Sequence, residues 1–348
     1  MTHTLAIVGC TGAVGREALA ILEALPADDA LTEVQLKLLA SARSVGGKLS
    51  CRGIDYEIEE LTKASFTGVD LAIFSAGGDR SRTFAPFAAN AGCVVIDNSS
   101  AFRMEPQTPL VVPEINADLI KTRSPGQGGI IANPNCSTIL AAVVLFPLAA
   151  AFGIERAVLS TYQAVSGAGA AAMQELLTQT RAALDATPTA PGIFAEPCAF
   201  NLFSHDSAVD PETGRNVEEE KMLREIDKIF TSADRPVQPP RLSCTCIRVP
   251  VLRAHSESIN LTLRQPAEED ALREVLAGAP GVQLRDDRQA NDFPTPRKAE
   301  CRDEVLVGRL LPDPSQPQGL GYDLFLSGDQ LRKGAALNAL QIARALLC

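Results

Sequence analysis

A cysteine lies where an irregular loop gives way to an apolar helix. Residues 133–138 read Asn-Pro-Asn-Cys-Ser-Thr, and an unbroken apolar run covers residues 139–146. The first turn of a helix presents unpaired N–H groups and a partial positive charge, which favour a thiolate over a thiol. A buried, inert thiol is the commoner state of a free cysteine, but the asparagines on both sides of Pro134 favour a loop over a packed core. The sequence therefore predicts that Cys136 is an activated nucleophile.

Histidine, the side chain best suited to exchange protons near neutral pH, occurs only three times. His3 is terminal and His205 lies in a polar segment, so we expect both to be incidental. His255 follows a predicted strand and begins the run His-Ser-Glu-Ser. If Cys136 needs a proton-transfer partner, His255 is the candidate. A purely structural histidine is the alternative.

Other polar side chains lie at the ends of predicted elements. Gln163 closes a strand, where an amide can donate a hydrogen bond to a carbonyl or an oxyanion. Arg103 and Arg248 have the forked geometry that binds a carboxylate or a phosphate. The acidic residues 218–220 begin a helix, where negative charge suits the helix dipole. Simple capping is therefore the alternative to a ligand role for them.

A glycine-rich loop follows the first predicted strand. Gly9, Gly12 and Gly15 lie between that strand and a helical pattern, which is the setting of a dinucleotide-binding loop. Glycine lets the backbone approach a pyrophosphate, and the helix N-terminus supplies N–H donors. The spacing differs from the usual G-x-G-x-x-G, and a plain tight turn is the alternative.

The residues after the second strand bear on the choice of cofactor. Residues 41–44 read Ser-Ala-Arg-Ser. An NAD site commonly has an acidic residue here to bind the ribose 2′-hydroxyl, whereas a cation with hydroxyl groups suits a 2′-phosphate. Arg43 therefore favours NADP, with a solvent-facing arginine as the alternative.

Strands that alternate with helices cover the first part of the chain. Short apolar segments at 5–8, 35–40, 69–75 and 94–97 end in small or polar residues, and a helix is predicted at 80–91. This alternation is typical of a doubly wound parallel sheet in an α/β fold, whose ligands bind at the carboxyl ends of the strands.

Longer strands after residue 155 favour a second, α+β domain with a mixed sheet. The predicted strands are 157–163, 242–249, 256–263, 304–309 and 322–326, and the predicted helices are 168–184, 217–230 and 267–277. The segment 185–215 is predicted to be a surface loop. An amphipathic helix at 331–347 is expected to return and pack on the first domain.

Composition limits the class of protein. The chain has 348 residues, of which 46% are hydrophobic and 21% charged, as in an ordinary soluble enzyme of two domains. Its net charge of −10 argues against nucleic acid or an anionic membrane as partner. No signal-peptide pattern and no apolar run of 18 residues is found, so a cytoplasmic location is expected. Nine cysteines without regular spacing indicate neither a disulfide framework nor a metal site.

Seven ordered motifs resemble one family from end to end. They lie at 9–15, 98–104, 112–116, 133–138, 160–169, 248–258 and 328–338. On these motifs the chain is similar to the bacterial aspartate-semialdehyde dehydrogenases. The nearest alternative is N-acetyl-glutamyl-phosphate reductase, which uses the same thioester chemistry, but the motifs at 248–258 and around Gln330 favour the aspartate enzymes. A non-enzymatic dinucleotide-binding relative would be expected to lack the thiol or the imidazole.

The resemblance implies a reaction and a domain arrangement. The reaction is the NADPH-dependent reductive dephosphorylation of L-4-aspartyl phosphate to L-aspartate 4-semialdehyde through a cysteine thioester, in the biosynthesis of threonine, methionine and lysine, the last by way of diaminopimelate. The implied NADP-binding Rossmann-type domain is 1–132, completed by the C-terminal helix 331–348, and the implied catalytic and dimerisation domain is 133–330. The implied assembly is a homodimer, with a tetramer as the alternative.

The resemblance also implies site residues. Cys136 is the nucleophile, His255 the acid and base, and Gln163 the residue that orients the acyl intermediate. The implied substrate ligands are Gln163, Arg248 at the α-carboxylate, Glu218 at the α-amino group, and Arg103 with Lys221 at the phosphate. The implied cofactor ligands are Gly9, Thr11, Gly12, Ala13, Val14, Gly15, Arg43, Ser44, Ser166, Gly167 and Gln330. One departure is Cys10, which stands where the family commonly has alanine.

Overall fold

The computed structural model describes residues 3–187, 189–233 and 235–347. The chain divides into two compact units. The first unit runs to Asn135 and resumes at Ala335, with a short addition from Ser232, and the second comprises Cys136–Thr231 and Arg235–Gly334. Among the described residues, no helix is both long and apolar enough to cross a bilayer.

A largely parallel sheet forms the first unit. Its elements are β1 (Thr4–Val8), α1 (Ala13–Glu23), β2 (Gln35–Ala40), β3 (Lys48–Cys51), β4 (Ile54–Glu60), β5 (Leu71–Phe74), α2 (Gly78–Asn90), β6 (Val94–Asp97), the one-turn α3 (Pro113–Asn116) and β7 (Gly129–Ala132). The strand order is β3-β4-β2-β1-β5-β6-β7, and only the β3–β4 pair is antiparallel. Strands β5 and β6 are buried at every residue, as expected for a parallel sheet covered on both faces. The predicted doubly wound sheet is confirmed.

The antiparallel pair of β3 and β4 was not predicted. The chain reverses at Arg52 and Gly53, whose φ values are +53° and +72°. In β4 only Ile58 is fully buried, because the hairpin lies at the edge of the sheet with much of its surface in water. Its sequence does carry a strand signal that sequence reasoning missed: residues 54–59 read Ile-Asp-Tyr-Glu-Ile-Glu and alternate between apolar and polar side chains.

A seven-stranded mixed sheet forms the second unit, as predicted. Its elements are α4 (Cys136–Phe152), β8 (Ile154–Gln163), α5 (Ala170–Leu184), β9 (Phe203–Ser204), α6 (Val217–Thr231), β10 (Arg241–Arg248), β11 (His255–Leu263), α7 (Glu269–Ala277), β12 (Val282–Leu284), the one-turn α8 (Pro296–Ala299), β13 (Val305–Pro312) and β14 (Gly321–Gly328). The strand order is β12-β13-β14-β11-β8-β10-β9, in which β8–β10 and β12–β13 are parallel pairs. The predicted surface loop 185–215 contains β9, and Pro188 within it lies outside the described residues.

The C-terminal segment returns to the first unit with one difference from the prediction. Instead of one continuous helix, Arg332–Ala336 form a π-helical turn and α9 (Leu337–Leu347) follows it. Leu340 and Ile342 of α9 join the apolar core that surrounds Ile7 of β1. Short π-helical turns are frequent at functional sites, and this one begins two residues after the predicted ligand Gln330.

Candidate active site

Cys136 is the first residue of α4, as predicted. Its side chain is half-buried and lies at the positive end of a helix dipole. The helix that carries it is buried on all sides along residues 137–145, so the thiol is attached to a rigid element of the core. Every cysteine from residue 3 to residue 347 is present as a thiol.

The π-helical turn passes directly beside this cysteine. A Cβ atom on Gly334 would lie 2.8 Å from the Cβ of Cys136 and 3.2 Å from its Cα, which is closer than side chains pack. Only glycine therefore fits at this position. Sequence reasoning missed Gly334, and the available signal was a glycine inside an otherwise regular amphipathic pattern.

Gln163 links the start of α4 to the start of α6. It ends β8, as predicted, and is 1% exposed. Its Nε2 donates to the Oγ of Ser137 at 2.9 Å and to the Oε1 of Glu218 at 3.2 Å. Its Oε1 is buried without a hydrogen-bond donor among the described residues. A buried amide held in this way is a fixed dipole that can act on a bound carbonyl.

His255 begins β11 and is 1% exposed. Its Nδ1 accepts the backbone N–H of Ala164 at 3.0 Å, so the proton of the neutral ring lies on Nε2. That Nε2 is buried and has no hydrogen-bond partner in the described part of the chain. Burial, followed by the nearby Arg248 cation, lowers the pKa of His255 to about 3. The ring is therefore a neutral N–H donor at pH 7, and its donor remains available for a ligand.

A short 3₁₀ turn, Val165–Ala168, borders this ring. A Cβ on Gly167 would lie 3.4 Å from the Cε1 of His255 and 3.5 Å from the Nη1 of Arg248. The chain at Gly167 thus passes close to two of the predicted site residues without covering them with a side chain.

Gln330 ties the same turn to the segment before β11. Its Oε1 accepts the N–H of Ala254 at 2.9 Å, and its Nε2 donates to the hydroxyl of Ser166. The structure thus brings the predicted cofactor residues Ser166, Gly167 and Gln330 together around His255, within the second unit.

Arg248 ends β10 and is 3% exposed. Its Nη2 donates to the Oδ1 of Asp206 at 2.8 Å, and its Nη1 donates to the carbonyl oxygen of Ala164 at 2.9 Å. The guanidinium carbon lies 5.2 Å from the centre of the Phe194 ring, which is within range of a cation–π interaction.

His205, which we expected from the sequence to be incidental, lies against Arg248. Its Nε2 accepts a hydrogen bond from the Nη2 of Arg248 at 2.9 Å. Burial is the main cause that lowers the pKa of His205, which fits a neutral ring accepting from a cation. The polar sequence around His205 gave no signal, because the contact joins residues that are 43 positions apart.

The three glutamates at the start of α6 have different environments. Glu219 forms a reciprocal capping box with Asn216: Oδ1 of Asn216 accepts the N–H of Glu219 at 2.9 Å, and Oε2 of Glu219 accepts the N–H of Asn216 at 3.0 Å. Glu218 is 6% exposed and lies beside Gln163, with its Oε2 3.0 Å from the Nζ of Lys221. Capping therefore accounts for Glu219, whereas Glu218 and Lys221 form an ion pair next to the buried amide.

The glycine-rich loop of the first unit has the tight backbone that was predicted. Gly9 has φ +86°, and a Cβ there would lie 2.5 Å from the carbonyl oxygen of Ser75. A Cβ on Gly15 would lie 2.5 Å from the carbonyl oxygen of Gly9. Both positions require glycine, and they leave the first turn of α1 open to a ligand.

A cavity of about 250 Å³ lies beside this loop. It is lined by Gly9, Thr11, Gly12, Ala40, Ser41, Arg43, Leu61, Ser75, Ala76 and Arg80. The predicted residues Ala13, Val14 and Gly15 lie in the first turn of α1 instead, and Ser44 lies in the 3₁₀ turn that carries Arg43. Arg80, which sequence reasoning missed, adds a second cation to the lining.

Arg103 lies in the first unit and is 7% exposed. Its Nε donates to the carbonyl oxygen of Asn133 at 2.9 Å, and its Nη2 donates to that of Asn98 at 2.8 Å. The guanidinium is thus held by backbone oxygens at the ends of β7 and β6.

The fold and these residues define a two-domain, nicotinamide-dependent dehydrogenase. Residues 4–123 match the family described as semialdehyde dehydrogenase, NAD binding domain, and residues 145–333 match the semialdehyde dehydrogenase dimerisation domain. The chain belongs to the aspartate-semialdehyde dehydrogenase family, and it is an oxidoreductase.

Relatives of known name support this assignment over the full length. The chain is 47% identical to an aspartate-semialdehyde dehydrogenase of Synechocystis sp. over 99% of its own length and 97% of the relative. It is 46% identical to that of Aquifex aeolicus, covering 100% and 98%. The crystal structure of aspartate semialdehyde dehydrogenase II from Vibrio cholerae, complexed with ASA, has a TM-score of 0.90 at 39% identity, covering 99% and 98%. The resemblance inferred from the motifs is confirmed.

Proposed function

We propose that the chain catalyses the NADPH-dependent reductive dephosphorylation of L-4-aspartyl phosphate to L-aspartate 4-semialdehyde, with a thioester on Cys136. One observation carries the proposal: a set of hydrogen bonds joins the residue after Cys136 to Gln163, and the residue after Gln163 to His255. The end of β8 thereby positions the amide of Gln163, the residue next to the thiol and the imidazole. Covalent catalysis at a carbonyl requires a nucleophile and a proton-transfer group fixed relative to each other in this way.

The proposed chemistry begins with the attack of the Cys136 thiolate on the C4 carbonyl carbon. A carbon–sulfur bond forms, the carbon–oxygen bond to the phosphoryl group breaks, and inorganic phosphate leaves. Bound NADPH supplies a hydride to the thioester carbon. The Nε2–H of His255 donates to the oxygen that becomes negative, and collapse of the tetrahedral species returns the thiolate and releases the aldehyde.

The proposed substrate ligands follow from charge and burial. Arg248 is a buried fork suited to the α-carboxylate, and Glu218 offers a buried carboxylate to the α-amino group. Lys221, ion-paired with Glu218, and Arg103 are proposed as phosphate ligands. In the same proposal, residues 1–132 with 331–348 bind the cofactor and residues 133–330 perform the chemistry and dimerisation.

We propose NADP as the cofactor. Two arginines, Arg43 and Arg80, line the cavity beside the glycine-rich loop, and the residues that line it include no Asp or Glu. An acidic side chain would select the 2′-hydroxyl of NAD, whereas an arginine accommodates a 2′-phosphate. The charge of the lining therefore supports NADP.

We propose a cytoplasmic homodimer formed through the open face of the second sheet. Along most of β8 and β14, buried side chains alternate with more exposed ones. Tyr162 of β8 is exposed and Phe325 of β14 is half-buried, and their rings lie 6.3 Å apart on the same face. An apolar patch on an otherwise polar sheet face is typical of a protein interface. A tetramer would need a second surface in addition to this one.

An assay of two aldehydes tests the function. The purified protein is supplied with NADP, inorganic phosphate and either L-aspartate 4-semialdehyde or N-acetyl-L-glutamate 5-semialdehyde, and NADPH is followed by its absorbance. We expect phosphate-dependent reduction of NADP with the aspartate compound only. Preference for the acetylated compound, or turnover that does not need phosphate, would contradict the proposal.

A further inference from the structure

Arg248 already holds a carboxylate of its own chain. Its Nη2 donates to the Oδ1 of Asp206 at 2.8 Å, and its Nε donates to the same oxygen at 3.2 Å. The side chain of Arg248 is 4% exposed, whereas that of Asp206 is 30% exposed. A buried cation is therefore paired with a carboxylate that has a route to water.

The rest of the guanidinium is held by groups that need not move. Nη1 donates to the carbonyl oxygen of Ala164, the second N–H of Nη2 donates to His205, and the ring of Phe194 lies against the guanidinium carbon. The edge formed by Nε and Nη2 is the one that faces Asp206. An anion that replaces Asp206 would thus meet a guanidinium whose orientation is already set.

The contact with Asp206 is weaker than the one that a free carboxylate can make. Both hydrogen bonds converge on the single oxygen Oδ1. A carboxylate that approaches the same edge in the plane of the guanidinium engages two oxygens in two parallel hydrogen bonds, which is the stronger arrangement. Displacement leaves no buried unpaired charge, because the partly exposed Asp206 can turn towards water and the new carboxylate neutralises Arg248.

The residues around Asp206 connect this exchange to the start of α6. His205 accepts from Arg248 through Nε2, and its Nδ1 faces Ser207, whose backbone N and Oγ each lie 3.2 Å from it. The same Oγ accepts the backbone N–H of Glu218 at 3.2 Å. The segment 205–207 thus lies between Arg248, proposed for the α-carboxylate, and Glu218, proposed for the α-amino group.

We propose that Asp206 is a specificity-determining residue that occupies the carboxylate site of Arg248 in the free enzyme and is displaced by the α-carboxylate of the substrate. The inference rests on the proposed function for the identity of that substrate. A ligand without this carboxylate gains nothing by breaking the Arg248–Asp206 pair, so the pair discriminates against it.

Titration calorimetry of the full chain with two unreactive probes tests the proposal. L-Aspartate carries the α-carboxylate, and β-alanine is the same molecule without it. Asp206→Asn keeps the size and an acceptor oxygen but removes the competing charge. We expect the dissociation constant for L-aspartate to fall by about tenfold in Asp206→Asn, the usual size of one charge-assisted hydrogen bond, and that for β-alanine to stay unchanged.

Two further variants keep the test decisive. Asp227→Asn removes the same charge from an exposed position on α6 and should change neither constant. Asp206→Glu retains the charge, so its affinity for L-aspartate should not exceed that of the wild type. Weaker or unchanged binding of L-aspartate by Asp206→Asn would overturn the proposal, since a residue that merely aligns Arg248 would have that effect. Tighter binding by Asp206→Glu would overturn it as well.

The outcome can be separated from that of the proposed function. Wild-type turnover of L-aspartate 4-semialdehyde tests the function itself, whereas the calorimetric ratio tests the exchange at Arg248. If the wild type turns over this aldehyde, Asp206→Asn should lower its KM and leave kcat within about twofold, because only a ground-state competitor is lost. A loss of kcat without a fall in KM would contradict displacement.

Discussion

The Nε2 of Gln163 donates a 2.9 Å hydrogen bond to the hydroxyl of Ser137, the residue that follows Cys136. The next backbone N–H along the chain, that of Ala164, donates to the Nδ1 of His255 at 3.0 Å. The end of one strand therefore positions the neighbour of the thiol through a side chain and the imidazole through the backbone. This arrangement also sets the tautomer of the ring, since an Nδ1 that accepts leaves the proton on Nε2.

Replacement of Gln163 by alanine should impair turnover more than binding of cofactor. We expect kcat to fall by about a hundredfold, as for the loss of one preorganised donor at an oxyanion, while the KM for NADPH stays near the wild-type value. Steady-state kinetics with the aspartate compound measures both. Gln174→Ala, at an exposed position on α5, is the control. A kcat within about twofold of the wild type would show that the amide is only structural.

Cys136 should react with iodoacetamide before any other cysteine at pH 7. Burial raises the pKa of Cys93 to about 12 and that of Cys198 to about 11, so both should stay unmodified. Cys301 is the decisive comparison because it is exposed and lies outside a helix start. Peptide mapping by mass spectrometry after short exposure gives the order of labelling. Earlier labelling of Cys301 would remove the argument from the helix terminus.

Protonation of His255 should destabilise the fold at acid pH. Burial lowers its pKa from 6.5 to about 3, so between these values the unfolded chain binds the proton and the folded chain does not. Stability from this group is therefore complete above about pH 6.5 and declines as the pH falls towards 3. The glutamine in His255→Gln cannot be protonated. Between pH 7 and pH 5, the urea concentration at the midpoint of unfolding should therefore fall less for this variant than for the wild type.

The control for this measurement is His3→Gln, at a histidine far from the site along the chain. Between the two pH values, its urea concentration at the midpoint of unfolding should fall by as much as that of the wild type. His255→Gln should also lower kcat by about a hundredfold, because a proton donor is lost. An unaltered pH dependence of unfolding would mean that the ring is not buried in the neutral form.

Reversal of charge at Arg43 should change the choice of cofactor. Arg43→Asp places an acidic side chain beside the glycine-rich loop, which repels a 2′-phosphate and suits a 2′-hydroxyl. We expect the KM for NADPH to rise by about tenfold or more, the value of one charge-assisted contact, and the KM for NADH to fall or stay constant. The control is Arg82→Asp on α2. Arg82 is paired with Asp79 and does not line the cavity, so this change should alter the KM for neither cofactor. Equal use of both cofactors by the wild type would refute the assignment.

The amino-acid sequence by itself determined the elements and their order. Apolar runs at the predicted period located β1, β2 and β6, and a loop followed by an apolar run located Cys136 at the start of α4. These features depend on neighbours within one or two turns of chain, where side-chain period and backbone preference act directly. The edge hairpin of β3 and β4 was missed, although apolar and polar side chains alternate along both of its strands.

Only the tertiary structure decided which polar residues meet. Nothing in the sequence distinguishes the three consecutive glutamates. In the structure, Glu219 caps α6, Glu218 lies beside Gln163, and Glu220 forms surface ion pairs. The contact of His205 with Arg248 had no local signal either. Such pairings join positions that are far apart in the chain, and their energy depends on burial and on distance in space. Neither quantity can be read from local composition, because both arise only when the sheet and helices pack.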